Sequence, residues 1–280
     1  MNTFSILVNS FDSFEDCWEP FFRLFSIYWP DYKGKIYLNT NFKNFSYGSC
    51  NIISTRVAAD KTIKDPHALP WSDCLIRALN KIDEAIILYM QEDYFLKDFV
   101  KADIVNRYVQ LMSDNPDIHC IHLTDQAVDA EKPSEKYETL WTVPRKHKYR
   151  ISCQAALWRK DTLMKYLRSY ETAWQFEDWG SKRAAMLDHN FFVVDPNWCK
   201  KDHFEIIPYV FTGVIRGKWF KEVVPIFDRH NILIEYSMRG FFESRNFSKK
   251  ERLIRKLKRF PVEIRSSIDL FGLKLKRIIV

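Results

Sequence analysis

Between residues 85 and 95 the chain reads Ala85-Ile86-Ile87-Leu88-Tyr89-Met90-Gln91-Glu92-Asp93-Tyr94-Phe95, an apolar run closed abruptly by two adjacent acids. A run of this length without polar alternation is a strand buried on both faces, so it belongs inside a sheet covered by helices. In such sheets ligands bind beyond the carboxyl ends of the parallel strands. Glu92 and Asp93 fall at that edge. There they either cap the following turn or face a divalent ion, a sugar hydroxyl or a backbone amide.

The segments on either side alternate between strand and helix, which predicts repeated β-α units and a mixed, mainly parallel sheet flanked by helices. Phe4 to Val8 reads as the first strand and runs into Asn9-Ser10-Phe11-Asp12-Ser13. That polar turn suits either a nucleotide or a simple Asp/Ser cap. Further strands are expected at 35–38, 51–55, 118–123, 150–158 and 206–215. Helices are expected at 14–28, from Pro70 with Ser72 as N-cap, at 97–113, from Lys160, and at 219–231. Thr124 to Pro144 has few apolar anchors and reads as a loop or a mobile lid.

Composition narrows the class. At 280 residues, with 46% hydrophobic and 16% aromatic side chains and only 7 Gly, the chain reads as an ordinary folded protein with one substantial core. No apolar run approaches the roughly 18 residues of a spanning helix. The start, Met1-Asn2-Thr3-Phe4, has no basic segment ahead of an apolar one, so a cytosolic protein is expected. The six cysteines are widely spaced without a Cys-x-x-Cys pair, which argues against a zinc cluster or a disulfide scaffold.

Two later clusters carry chemistry. Trp174-Gln175-Phe176-Glu177-Asp178-Trp179 brackets two acids with two indoles. Such indoles are either core residues or platforms on which a sugar ring stacks. Arg216-Gly217-Lys218 sets two cations across a glycine, which fits either a solvated turn or the grip on a diphosphate.

Charge divides the chain at residue 244. Residues 245–280 hold 12 Lys and Arg against 3 acids, while residues 1–244 hold 31 against 33. The tail from Lys249 to Phe260 places Leu253, Ile254 and Leu257 on one helical face with cations opposite, and Lys274 to Val280 repeats the theme. A basic amphipathic helix of this kind fits an anionic membrane surface, where each cation contributes about 1 kcal/mol. RNA is the alternative partner, but no RNA-binding motif accompanies the charge, and nucleic acid is not expected.

Taken in order, Tyr89 to Phe95, Ser152 to Trp158 with Trp174 to Ser181, and Ile215 to Trp219 resemble bacterial glycosyltransferases of the GT-A fold that build capsule or O-antigen polysaccharide. The likeness runs from about residue 4 to 230 and implies a GT-A-like single catalytic domain over 1–244, followed by the tail. It implies a nucleotide-diphosphate sugar as donor and a lipid-linked or growing saccharide as acceptor, at the inner face of the cell membrane. By this resemblance Asn9, Ser10 and Asp12 lie near the nucleotide, with Arg216 and Lys218 at the diphosphate. Glu92 and Asp93 take the place of the Asp-any-Asp motif, and Asp93 is the candidate ligand for Mn²⁺ or Mg²⁺. Gln91-Glu92-Asp93 departs from that motif, which leaves metal dependence open.

An inverting displacement needs a base, for which Glu177 is the first candidate and Asp178 the second, with Trp174 and Trp179 as acceptor platforms. The rival classes are a nucleotidyltransferase acting on sugar phosphates and a non-catalytic membrane or RNA adaptor. The first lacks a glycine-rich phosphate loop near the N-terminus. The second leaves the acid-tryptophan cluster without a role.

Overall fold

A computed structural model describes residues 4–245 and 247–279. Eight strands make one sheet: β1 (Phe4–Asn9), β2 (Ile36–Leu38), β3 (Ile52–Ser54), β4 (Ile86–Gln91), β5 (Ile118–His122), β6 (Leu140–Thr142), β7 (Ala156–Arg159) and β8 (Asn190–Val194). Their order across the sheet is β3-β2-β1-β4-β7-β5-β8-β6. β1 to β5 and β8 point one way, and only β6 and β7 run against them. The mixed, mainly parallel α/β sheet expected from the strand-helix alternation is therefore present. β4 lies between β1 and β7 with every residue from Ile86 to Met90 buried, which is why its sequence shows no alternation.

The helices are α1 (Glu15–Tyr28), α2 (Trp71–Leu79), α3 (Ala102–Asp114), α4 (Lys160–Tyr166), α5 (Ala173–Ala184), α6 (Val224–Arg229) and α7 (Lys249–Ile279), the last lying on α5 and not on the sheet. α1 buries Trp18, Phe21, Phe22 and Phe25 as their spacing predicts. α5 starts with a complete capping box, Thr172 and Gln175 satisfying each other's backbone N–H groups. All six cysteines are free; Cys50 is half-buried and the others are buried.

Several elements differ from their sequence reading. Thr124 to Pro144 is irregular as far as Thr139, as a loop reading expects, but it ends in β6, which pairs with β8, and the chain doubles back so that Glu131 N–H donates to Thr142 O and Ser134 N–H to Leu140 O, each at 2.8 Å. A three-residue strand is too short to show a period. Residues 206–210 do not form a ladder. They bond singly to the segment after β4, Lys97 N–H to Pro208 O and Lys101 N–H to Ile206 O, and Pro208 has no N–H to extend the pairing. Those bonds take up the N–H groups of Lys97 and Lys101, and α3 starts only at Ala102.

Only Val214–Ile215 is strand, β9, paired with β10 (Lys218–Trp219) in a short hairpin. Trp219 thus belongs to a strand, and α6 begins five residues later with Pro225 in its first turn. Ser72 is not the N-cap of α2. Pro70 holds that position, while Ser72 sits in the first turn with its N–H bonded to Glu171 O at 3.1 Å.

The tail is one helix, as predicted. It lies on the body through Ser266, whose hydroxyl donates to Glu171 Oε1 at 2.8 Å, and Asp269, 3.0 Å from Arg168. The side chains of Lys258 and of the run from Lys276 onward lie outside the described residues. No described helix is long and apolar enough to cross a membrane.

Candidate functional site

Because β1 to β4 are parallel neighbours, their carboxyl ends share one edge, with Asn9 opposite Gln91 in register. Polar side chains there bond to one another: Asn39 Nδ2 donates to Asn9 Oδ1 at 2.8 Å and Thr55 Oγ1 to Asn39 Oδ1 at 3.0 Å. Asn9 and Ser10 are buried, and Ser10 Oγ accepts from Trp18 Nε1 at 2.7 Å. Asp12 accepts the N–H groups of Asn41, Phe42 and Lys43, fixing the loop after β2. All three residues expected near the nucleotide therefore occupy the sheet edge and build its floor, each already bonded within the protein.

Glu92 and Asp93 leave β4 at this edge and are both buried, at 6% and 7% exposure. Their roles separate by their partners. Asp93 Oδ2 accepts three donors, Thr212 Oγ1 at 2.8 Å, Gly213 N–H at 3.1 Å and Val214 N–H at 3.0 Å. It thereby roots the β9–β10 hairpin on the sheet. Burial raises the proton affinity of Asp93 and these donors oppose the rise. Glu92 is pushed well above the usual carboxylate range, first by burial and then by the neighbouring Asp93 charge, with Arg239 pulling the other way. Two buried acids side by side do not both ionise readily, and Glu92, without the donors that Asp93 has, is shifted up the more strongly.

β7 runs against β4 and so begins at the same edge, where the loop of 150–155 meets the acids. Tyr94 donates to Cys153 O at 2.9 Å and stacks on Tyr209 at 4.7 Å, whose hydroxyl donates to Gln154 Oε1 at 2.7 Å. Into this loop α5 inserts Glu177, whose Oε1 accepts Cys153 N–H at 2.9 Å. Burial raises the Glu177 carboxyl, opposed by that bond. Tyr89 precedes Glu92 and Asp93 on β4, paired with Ala156 of β7. It is buried, its hydroxyl has no partner of sound geometry among the described residues, and burial first of all raises its proton affinity.

The remaining members of the acid-tryptophan cluster part company. Trp174, three residues before Glu177 and so on the same helical face, is 69% exposed. Trp179 is 8% exposed and turns to α7, with Lys182 Nζ 3.9 Å from its ring centroid. Asp178 pairs with Lys182 at 3.1 Å.

Arg216 and Lys218 stand exposed at the tip of the β9–β10 hairpin, where Arg216 and Gly217 both take positive φ (55° and 77°) and Arg216 lies over the Phe247 ring at 5.0 Å. The half-buried cation whose charge opposes the shift of Glu92 is instead Arg239, which the sequence did not single out. Its guanidinium bonds both oxygens of Asp16 in α1 and donates to Ser13 O at 2.7 Å and Gly217 O at 3.4 Å. It also lies over Phe14 at 4.6 Å. Just after it, Trp219 N–H donates to Gly240 O and Phe242 N–H to Trp219 O, an isolated bridge that ties this segment to the hairpin. Arg239 thus fastens the hairpin turn to the start of α1 across the sheet edge. No local pattern marks it, since Asp16 lies 223 positions away in sequence.

Asp93, the candidate metal ligand, is already engaged at one oxygen by three donors, and among the described residues no three His, Cys, Asp or Glu side chains converge as ligands.

No protein family matches the chain, and no curated protein matches it. Solved structures similar in overall shape include Staphylococcus aureus TarS residues 1–349, at 10% identity and TM-score 0.42 over 68% of this chain and 57% of that one. The same fragment has been solved with UDP-GlcNAc. The galactosyltransferase LgtC, in complex with donor and acceptor sugar analogs, aligns at 9% identity and TM-score 0.36 over 86% of this chain and 84% of its own. The structure of CMP:2-keto-3-deoxy-manno-octonic acid synthetase complexed with CTP gives 11% identity and TM-score 0.36 over 68% and 87%. The chain spans little more than half of the TarS fragment, and at these values no residue of one protein is matched to a residue of another.

Proposed function

We propose that the chain is a glycosyltransferase that moves a sugar from a nucleotide-diphosphate donor to a lipid-linked or growing saccharide, as in the assembly of cell-surface polysaccharide at the inner face of the membrane. The observation that carries this reading is that Glu177 is tied through Cys153 to Tyr94, the residue that follows the buried Glu92 and Asp93 at the carboxyl edge of the sheet. A transfer from such a donor needs a base for the acceptor hydroxyl and positive charge for the departing diphosphate. In this reading Glu177 takes the hydroxyl proton, because its partly desolvated carboxyl binds protons more tightly than a solvated one. The acceptor oxygen then bonds the anomeric carbon as the bond from that carbon to the diphosphate breaks, with inversion. Trp174, exposed on the same face of α5, is the platform for the acceptor ring. Arg216 and Lys218, on a turn held by Arg239, meet the leaving diphosphate.

A thermal-shift screen against UDP-, GDP-, CMP- and dTDP-sugars, each with and without Mn²⁺, tests the reading. Stabilisation by one nucleotide class with its sugar attached supports it. A response confined to a nucleoside triphosphate together with a sugar phosphate would replace it with nucleotidyl transfer.

A further inference from the structure

α7 carries two chemically different faces. At about 100° per residue, Leu253, Leu257, Phe260, Ile264, Ile268, Phe271 and Leu275 fall within an arc of roughly 80°. All seven are exposed, between 44% and 67%, so a stripe some six turns long is open to solvent. Scattered apolar side chains on a surface are ordinary, but a continuous stripe of this kind marks a contact. The opposite face is the one that meets the body. Ser266 is fully buried against Glu171, and Asp269 pairs with Arg168 at 3.0 Å and Arg183 at 3.7 Å. Glu171 and Arg183 are themselves fully buried and bonded at two points, 2.9 and 2.6 Å.

Charge identifies what covers the stripe. All three acids of α7 have a cationic partner: Glu251 with Arg245 at 3.0 Å, Glu263 with Arg259 at 3.4 Å, and Asp269 in the mount. Lys249, Lys250, Lys256 and Lys274 project within about 60° of the stripe by the same helical geometry. An apolar slot of about 350 Å³ between α5 and α7 is lined by Trp179, Leu270 and Phe271, with Lys182 and Lys274 beside them. Phe271 belongs to both slot and stripe, so the apolar surface is continuous.

We propose that α7 is a fixed docking strut for an anionic bilayer: its stripe sits at the boundary of headgroups and acyl chains, its flanking lysines meet lipid phosphates, and the ion cluster behind it holds the helix on α5. A helix of this composition lies in the plane of the interface and does not span it. The proposal stands apart from the transferase reading, because it is measured without donor or acceptor.

The test is flotation of the full chain with vesicles rich in phosphatidylglycerol against vesicles of phosphatidylcholine alone, at low and high salt. The expected result is binding to the anionic vesicles, weakened by salt, and little binding to the neutral ones. Leu257→Glu with Ile268→Glu lowers vesicle binding at least about tenfold and leaves the melting temperature unchanged, since both side chains are exposed. In the free protein, amide exchange across 262–273 is slow. Absence of vesicle binding, or equal binding to both lipids without salt effect, overturns the proposal. So does a dimer in solution that the double variant dissociates, which would mean that a second copy covers the stripe. Fast exchange across 262–273 overturns the fixed mount.

Discussion

Glu177 and Glu92 are both carboxyls held away from water, yet their surroundings assign them different work. Glu177 accepts one backbone N–H and keeps a partly open position beside Trp174. Glu177→Gln removes the proposed base without changing shape. It is expected to cut turnover by about 10²-fold or more while donor affinity, measured by calorimetry, stays within about twofold. Glu92 makes its prediction through pH. Its carboxyl holds a proton more tightly when folded than at the ordinary value of 4.5. Below that value both folded and unfolded chains are protonated and nothing is lost. As pH rises above it the unfolded chain releases its proton first, so stability declines up to the folded value. Glu92→Gln therefore raises the melting temperature at pH 8 and leaves it nearly unchanged at pH 4, as scanning fluorimetry can read. A larger gain at pH 4 would contradict the upward shift of the Glu92 carboxyl.

At the scale of elements the decisive piece is the short hairpin that Asp93 roots and Arg239 fastens. Gly213 lies at its base, where a Cβ would come 2.3 Å from Phe95 Cε2 and 2.8 Å from Asp93 O. Neither a packed core ring nor a backbone oxygen can yield by that much. Gly213→Ala should destabilise the fold by about 1–3 kcal/mol, seen as a lower midpoint in urea, and loosen the hairpin with it. At the other end, Arg239→Ala frees the turn that bears Arg216 and Lys218 and leaves Asp16 without its partner. Donor affinity is expected to fall about tenfold, and Arg239→Lys to restore only part of it, because an ammonium cannot bond both carboxylate oxygens and two carbonyls in one plane. Equal affinity in all three proteins would remove Arg239 from the site.

Over the whole molecule, body and tail are joined more closely than a charge boundary at residue 244 suggests. Deleting 245–280 strips Ser266 and Asp269 from the buried pair of Glu171 and Arg183. The loss is expected to cost about 1–3 kcal/mol, read as a lower melting temperature, with transfer to a soluble acceptor retained. What the sequence by itself determined was whatever depends on neighbours along the chain. The unbroken apolar run from Ala85 announced a doubly covered strand, the spacing of Trp18, Phe21, Phe22 and Phe25 announced α1, and the cations and leucines after Ser248 announced an amphipathic helix. Those patterns follow from burial with a period of two or 3.6, or with none. Tertiary structure alone decided that Asp93 is bonded to the hairpin while burial shifts Glu92, that Trp179 turns to α7 while Trp174 stays open, and that Arg239 reaches Asp16. Each of these depends on contacts between residues far apart in sequence, and such contacts leave no local period to read.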